Sequence, residues 1–167
     1  MILTKKEILN EIKKNNIKIS PFNKSFIGAA SIDLTLDNKF RILKTNGPHV
    51  LKETSDFKKY SKLINSNSFT LMPNQFILGI TRERVKLPSN IAAWLHGRTR
   101  FARFGLAIHV TASFIQPGIN NKQVLEIKNV STMPLILKKG LRVCQLILER
   151  TEGNAVYYGK FKNQSSL

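Results

Sequence analysis

The sequence predicts a mainly β protein, a distorted barrel or jelly-roll-like sandwich that carries one short helix at its N-terminus. Three observations lead there. Short apolar segments recur along the chain, turn signals separate many of them, and only one stretch shows a helical period.

The helix comes first. Thr4-Lys5-Lys6-Glu7 has the form of a capping box, in which the Thr side chain accepts from the third helical amide and Glu7 reaches back. Ile8, Leu9 and Ile12 then share a face, which places a helix at about 4–15. Pro21 follows, and β-rich segments take over. Strands are expected at 31–36, 39–43, 68–71, 76–81, 92–95, 107–110, 124–130, 135–138 and 142–148. Turn signals lie at Asn46-Gly47-Pro48, Met72-Pro73-Asn74, Leu87-Pro88-Ser89-Asn90, Gln116-Pro117-Gly118 and Lys138-Lys139-Gly140. Residues 49–67, with Asp56-Phe57-Lys58-Lys59-Tyr60, read as a longer, partly helical excursion. From Lys160 onward the sequence is polar, which marks 160–167 as a flexible tail. No repeat or linker divides the chain, so 1–167 reads as one domain.

A chain of 167 residues with 42% hydrophobic content can bury a proper core. Its apolar runs, such as 76–80 and 135–137, are too short to span a bilayer. The N-terminus lacks the basic, apolar and small-residue order of a signal peptide. A cytoplasmic protein with no membrane partner is the expectation. The single cysteine, Cys144, excludes an internal disulfide and a multi-cysteine zinc site, and its apolar surroundings predict a buried structural thiol. The formal charge of +17 invites a nucleic-acid reading. The lysines are scattered, however, and no helix-turn-helix, zinc-finger or aromatic RNA-binding pattern accompanies them, so no specific nucleic-acid partner is expected. Charge alone predicts weak polyanion binding.

Familiar catalytic frameworks are missing. There is no H-x-E with P-C-x-x-C for a catalytic zinc, and His49, His96 and His109 have no nucleophile-elbow context. Neither a phosphate loop nor a dinucleotide fingerprint is present. Two segments carry more. In Gly97-Arg98-Thr99-Arg100-Phe101-Ala102-Arg103-Phe104-Gly105-Leu106, the arginines offer forked donors to phosphate oxygens and Thr99 offers an oxygen to position water. A solvated basic strand-to-turn segment fits the same composition. The second is Val124-Leu125-Glu126-Ile127. Beyond Tyr60 the only acidic residues are Glu83, Glu126, Glu149 and Glu152, and Glu126 alone sits in a strongly apolar strand. Alternation sets Leu125 and Ile127 on one face and Glu126 on the other, where a half-buried carboxylate suits proton transfer. An outward-facing, solvated Glu fits that alternation as well.

From Trp94 to Glu126 the sequence resembles the dCTP deaminase family of the dUTPase-like fold. The likeness runs through Trp94-Leu95-His96-Gly97-Arg98-Thr99-Arg100-Phe101-Ala102-Arg103, Gly105-Leu106, His109-Val110-Thr111-Ala112, Pro117-Gly118 and Val124-Leu125-Glu126 without a gap. Further matches are Ser31-Ile32-Asp33-Leu34, Asn38-Lys39-Phe40-Arg41, Gly140-Leu141-Arg142-Val143-Cys144-Gln145-Leu146 and the tail Tyr157-Tyr158-Gly159-Lys160-Phe161-Lys162-Asn163-Gln164. The resemblance thus covers nearly the whole chain.

It implies a homotrimer with nucleotide sites between subunits, which converts dCTP to dUTP and ammonia without zinc and supplies dUTP for thymidylate synthesis. Glu126 takes the acid/base position. Thr99 stands where the family's Ser helps hold the attacking water, and the Ala112 carbonyl assists. Arg103 matches an active-site arginine. Arg98, Thr99, Arg100, Phe101, Ala102 and Arg103 would frame the triphosphate, with Mg2+ on the phosphates rather than on the base. Val124, Leu125 and Glu126 would read the pyrimidine edge through backbone groups, while Tyr157, Lys160 and Gln164 bring the tail over the nucleotide.

Four positions depart from the family pattern. Gln116 replaces a usual acidic residue; it can still bond a ribose hydroxyl but cannot act as a base, which implies a deaminase without dUTP-hydrolysing activity. Ile119-Asn120-Asn121 replaces an aromatic-x-Gly turn, and Arg100 replaces a small hydroxyl residue. The sequence ends at Ser165-Ser166-Leu167 where relatives continue into a Gly-containing lid, which implies weaker closure or weaker inhibition by dTTP. The alternatives are a dUTP diphosphatase, against which Gln116 and Glu126 argue, and a catalytically impaired nucleotide-binding regulatory protein.

Overall fold

A computed structural model describes residues 1–44 and 47–167 of the chain, so Asn46 of the first expected turn lies outside the described residues. Helix α1 spans Lys5–Lys13. It buries Ile8 completely, and Leu9 and Ile12 pack partly buried against the core. The expected capping box does not form. Thr4 is extended (φ −74°, ψ 167°) and its side chain makes no cap hydrogen bond. The Lys5 amide instead donates to the Ala29 carbonyl at 2.7 Å, so a tertiary contact satisfies one of the first-turn amides.

The β class is as expected, with some strands longer and three added. In chain order they are β1 (Lys18–Ser20), β2 (Ile32–Leu43), β3 (Ser61–Asn65), β4 (Ser68–Leu71), β5 (Phe76–Lys86), β6 (Ile91–Gly97), β7 (Leu106–Ile108), β8 (Phe114–Ile115), β9 (Asn120–Asn129), β10 (Leu135–Lys138) and β11 (Arg142–Arg150). One turn of helix, α2 (Thr99–Ala102), follows β6. The two strands expected at 31–36 and 39–43 are one. β2 runs through Asp37 and Asn38, between the two expected strands, with a bulge between Leu36 and Phe40, where Asp37 accepts from the Lys122 ammonium at 2.9 Å. The excursion at 49–67 holds a 3₁₀ turn at Phe57–Tyr60 and then β3.

Among the described residues, nine strands join in one antiparallel sheet in the order β7-β9-β5-β2-β11-β6-β8, with β1 added to β5 and β3 to β2. Bulges on the β2–β5, β5–β9 and β2–β11 pairs bend this sheet around its own core, while β4 and β10 form a separate ribbon. Phe40, Leu34 and Leu36 of β2 meet Ile77 of β5, Leu125 and Ile127 of β9 and Leu146 of β11, all essentially without solvent contact. Cys144 lies in this core, and burial pushes its thiol far above the ordinary cysteine range, as suits an inert structural thiol.

The expected flexible tail, 160–167, is packed in this structure. β7 covers β9 only from Ile127 to Asn129, so amides nearer the start of β9 remain open on that edge. The tail fills part of the gap: the Asn120 and Lys122 amides donate to the Lys162 and Gln164 carbonyls, each at 2.9 Å. Leu167 is buried. No described helix is long and apolar enough to cross a membrane.

Candidate active site

Strand β9 sets the central carboxylate. Its residues alternate strictly between buried and half-buried, so Leu125 and Ile127 enter the core while Val124 and Glu126 face the other way. Of the two readings left open for Glu126, the structure gives the half-buried one. The Glu126 carboxylate accepts from the Thr111 amide at 2.7 Å and from the Thr111 hydroxyl at 2.8 and 3.0 Å. Thr111 reaches it because His109, at the end of β7, takes a left-handed backbone (φ 56°) while its amide donates to the Glu126 carbonyl at 2.7 Å. A non-glycine residue in that region is strained, and such strain collects at functional sites. The His109 ring is largely buried, and its Nδ1 has no partner among the described residues. Burial pushes its pKa below the ordinary histidine value, the Glu126 carboxylate opposes that shift, and His96 adds to it, so the ring is neutral at neutral pH.

Glu126 and His109 open into a cavity of about 420 Å³. Val124, Ala112, Gln116, Tyr157 and Gln164 also line it, and among the described residues Glu126 is its only carboxylate. Backbone direction adds a feature. The Lys122 amide points to the tail and the Glu126 carbonyl to His109, so the N–H and C=O of Val124 point at the same edge, between tail and β7. The Leu125 backbone faces β5 and its side chain fills the core, which leaves Val124 and Glu126 to present backbone at the cavity.

The arginines lie elsewhere in the single chain. Arg98, Thr99, Arg100 and Arg103 line a second cavity of about 490 Å³ around α2, and no residue lines both cavities. Thr99, expected beside the attacking water, is therefore separated from the Glu126 of its own chain. Phe101 packs partly buried against the core and Ala102 is exposed on the turn; neither lines the cavity. Lys160 lines a third cavity, under the tail, which shares Phe57, Phe161 and Gln164 with the first. Gly159 matters here: a Cβ at this position would collide with the Tyr157 ring, so the glycine lets that ring fold back over the tail.

Sequence reasoning misses two residues beside Glu126: Thr111, which holds its carboxylate, and His109, which lines the first cavity. Thr111 and His109 stand in the quoted His109-Val110-Thr111-Ala112 stretch, but threonine is too common in β-rich chains to mark a carboxylate partner. Spacing from Glu126 gives no hint either, because the left-handed turn at His109 makes the contact.

The model of the dCTP deaminase-like family matches residues 2–151. The chain belongs to the dCTP deaminase-like family. Two curated relatives carry the name dCTP deaminase, dUMP-forming. The one from Beutenbergia cavernae is 33% identical over 158 residues, covering 93% of this chain and 82% of its own length. The one from Streptomyces coelicolor is 36% identical over 163 residues, covering 95% and 85%. Among solved structures, the 2'-deoxycytidine 5'-triphosphate deaminase of Agrobacterium tumefaciens aligns with this dCTP deaminase-like chain at a TM-score of 0.71 and 17% identity. The alignment covers 90% of this chain and 48% of that one, so this chain spans about half its length. A variant dUTPase of Staphylococcus bacteriophage 80alpha aligns at a TM-score of 0.53 and 13% identity, over 87% and 97% of the two chains. At such identities both structures speak to the fold, which is dUTPase-like.

Proposed function

We propose that the chain hydrolyses dCTP to dUTP and ammonia, with Glu126 as general acid and base. The observation that carries this reading is the Glu126 carboxylate itself, held by Thr111 over a cavity beside the open backbone edge of Val124. An N–H and a C=O on one edge match the acceptor and amino donor of cytosine. Glu126 would take a proton from water as its oxygen adds to C4, pass that proton to N3, and a second proton would leave with the amine as ammonia. The Ala112 carbonyl, in the same cavity, would accept from the attacking water. Held donors and acceptors in a site closed to bulk water support hydrolysis of this kind.

The separation of the arginines from Glu126 supports a site completed by a second copy, as in a homotrimer. One copy would bring Glu126, Ala112 and Val124, and its neighbour Thr99, Arg100 and Arg103. Magnesium fits as an ion carried by the triphosphate. Among the described residues no group of three His, Cys, Asp or Glu side chains could hold a metal, and Asp33, the carboxylate of the arginine cavity, is engaged by two arginines. Bound there, the ion would neutralise phosphate charge. A further triphosphate such as dTTP would compete for the same groups.

The product is the point at which two readings part. Gln116 lines the Glu126 cavity and cannot act as a base, which supports release of dUTP. The names of the relatives, dUMP-forming, support continued hydrolysis to dUMP. Incubation of dCTP with magnesium and a zinc chelator, following ammonia and nucleotides by chromatography, decides between them. Ammonia with accumulating dUTP is the expected result. Accumulating dUMP establishes the second reading, and no ammonia from the folded protein overturns the deaminase assignment.

A further inference from the structure

Asp33 and Arg142 belong to two of the sequence motifs quoted above, yet the reaction has so far used neither. The structure brings them together beneath α2. The Asp33 carboxylate lies 3.0 Å from the Arg98 guanidinium and 3.4 Å from that of Arg142, and Arg98 also donates to the Arg142 carbonyl at 3.0 Å. Asp33 pairs with Gln145 across β2 and β11, and the Gln145 amide group donates to the Gly97 carbonyl at 3.3 Å, one residue before Arg98. Arg142 is braced on its far side by the Phe26 ring, 5.3 Å away. By contrast, the side chains of Arg100 and Arg103 make no hydrogen bond or ion pair with other described residues.

A carboxylate in a cavity built for anions is paradoxical on charge alone, since it repels a phosphate. Its geometry resolves the paradox. A guanidinium tied at two points loses little freedom when an anion arrives, and its remaining N–H groups keep a set direction. We propose that Asp33 is a positioning residue: it fixes the Arg98 guanidinium under α2 and holds Arg142 aside, which leaves Arg100 and Arg103 to close on a polyphosphate. The proposal rests on the reading of this cavity as the triphosphate's half of the site, but anion binding tests it without turnover.

The two accounts of Asp33 predict opposite signs. Inorganic tripolyphosphate and dCTP are titrated calorimetrically into the full-length protein, with melting of the unliganded protein as the fold control. Asp33→Asn should raise the Kd of both probes about tenfold, although it makes the cavity more positive. In an Arg98→Ala background the same substitution should cost no further affinity, because Asp33 acts through Arg98. Affinity that is unchanged or tighter in Asp33→Asn, or an equal loss without Arg98, overturns the proposal. If Asp33→Asn does not fold, Asp33→Glu carries the test: the carboxylate shifted by one methylene should bind several-fold more weakly, and wild-type affinity would overturn the idea. Failure of the wild-type protein to bind either probe removes the proposal with the cavity's role. Tripolyphosphate binding that responds to Asp33, without any dCTP turnover, sinks the deaminase reading and leaves this one standing.

Discussion

At the scale of single residues, Glu126 is held by two donors of one neighbour, the amide and hydroxyl of Thr111. The Glu126→Gln variant keeps an oxygen that can accept from Thr111 but loses the carboxylate that the proposed reaction uses to carry a proton between water and the ring. Turnover should fall by about 10³-fold, while the Kd for dCTP stays within about threefold. Steady-state rates paired with calorimetric titration check this; a variant that keeps most of its rate removes Glu126 as the acid/base. Glu126 is legible in the sequence because carboxylates are scarce beyond Tyr60 and strand alternation gives it a face. Its partner is not, because the contact depends on a left-handed backbone at His109 that no residue type requires.

At the scale of elements, buried charged groups show where local sequence misleads. Thr81-Arg82-Glu83-Arg84 looks like the end of a strand, yet β5 continues through it, because Glu83 is buried and accepts from the Thr35 amide at 2.8 Å and the Thr35 hydroxyl at 2.6 Å. Thr35 lies 48 residues earlier, out of reach of any window-based reading. β2 breaks in two on paper for the same reason, since the Lys122 partner of Asp37 is 85 residues away. Thr35→Val should therefore cost about 1–3 kcal/mol, because it leaves a buried carboxylate short of a donor in a nearly isosteric site. Urea unfolding at constant m-value measures it, and a neutral result would show that Glu83 is satisfied otherwise.

The tie between α1 and β11 is electrostatic and depends on pH. A hydrogen bond from Arg150 at 2.7 Å, joined by one from Asn16, holds the Glu11 carboxyl below the usual glutamate range against the opposing effect of burial. A folded-state pKa that is depressed means the unfolded chain binds more protons in that window. The contribution is complete above the unfolded value of about 4.3 and drains away as pH falls through the lower folded one. Glu11→Gln should melt earlier than wild type at neutral pH, and the gap should close on acidification below about pH 4. A gap independent of pH would assign the effect to packing.

At the scale of the whole molecule, composition and turn chemistry are enough for a single β-rich core, and the ordered motifs from Trp94 to Glu126 are enough for the family. The arrangement of the site in space is not legible, because arginines and carboxylate that follow one another in sequence open into separate cavities once the sheet curls. That separation underlies the proposal that each site would join the Glu126 half of one copy to the Arg103 half of another. The direct measurement mixes two variants, Glu126→Gln and Arg103→Ala, by co-refolding at equal amounts and assays dCTP deamination. Each alone should be inactive. Together they should recover about a quarter of the wild-type rate, since random assembly joins two intact halves at about one site in four. A mixture as inactive as its components, with mixed oligomers shown to form, would place Glu126 and Arg103 in one chain's own site and contradict the account.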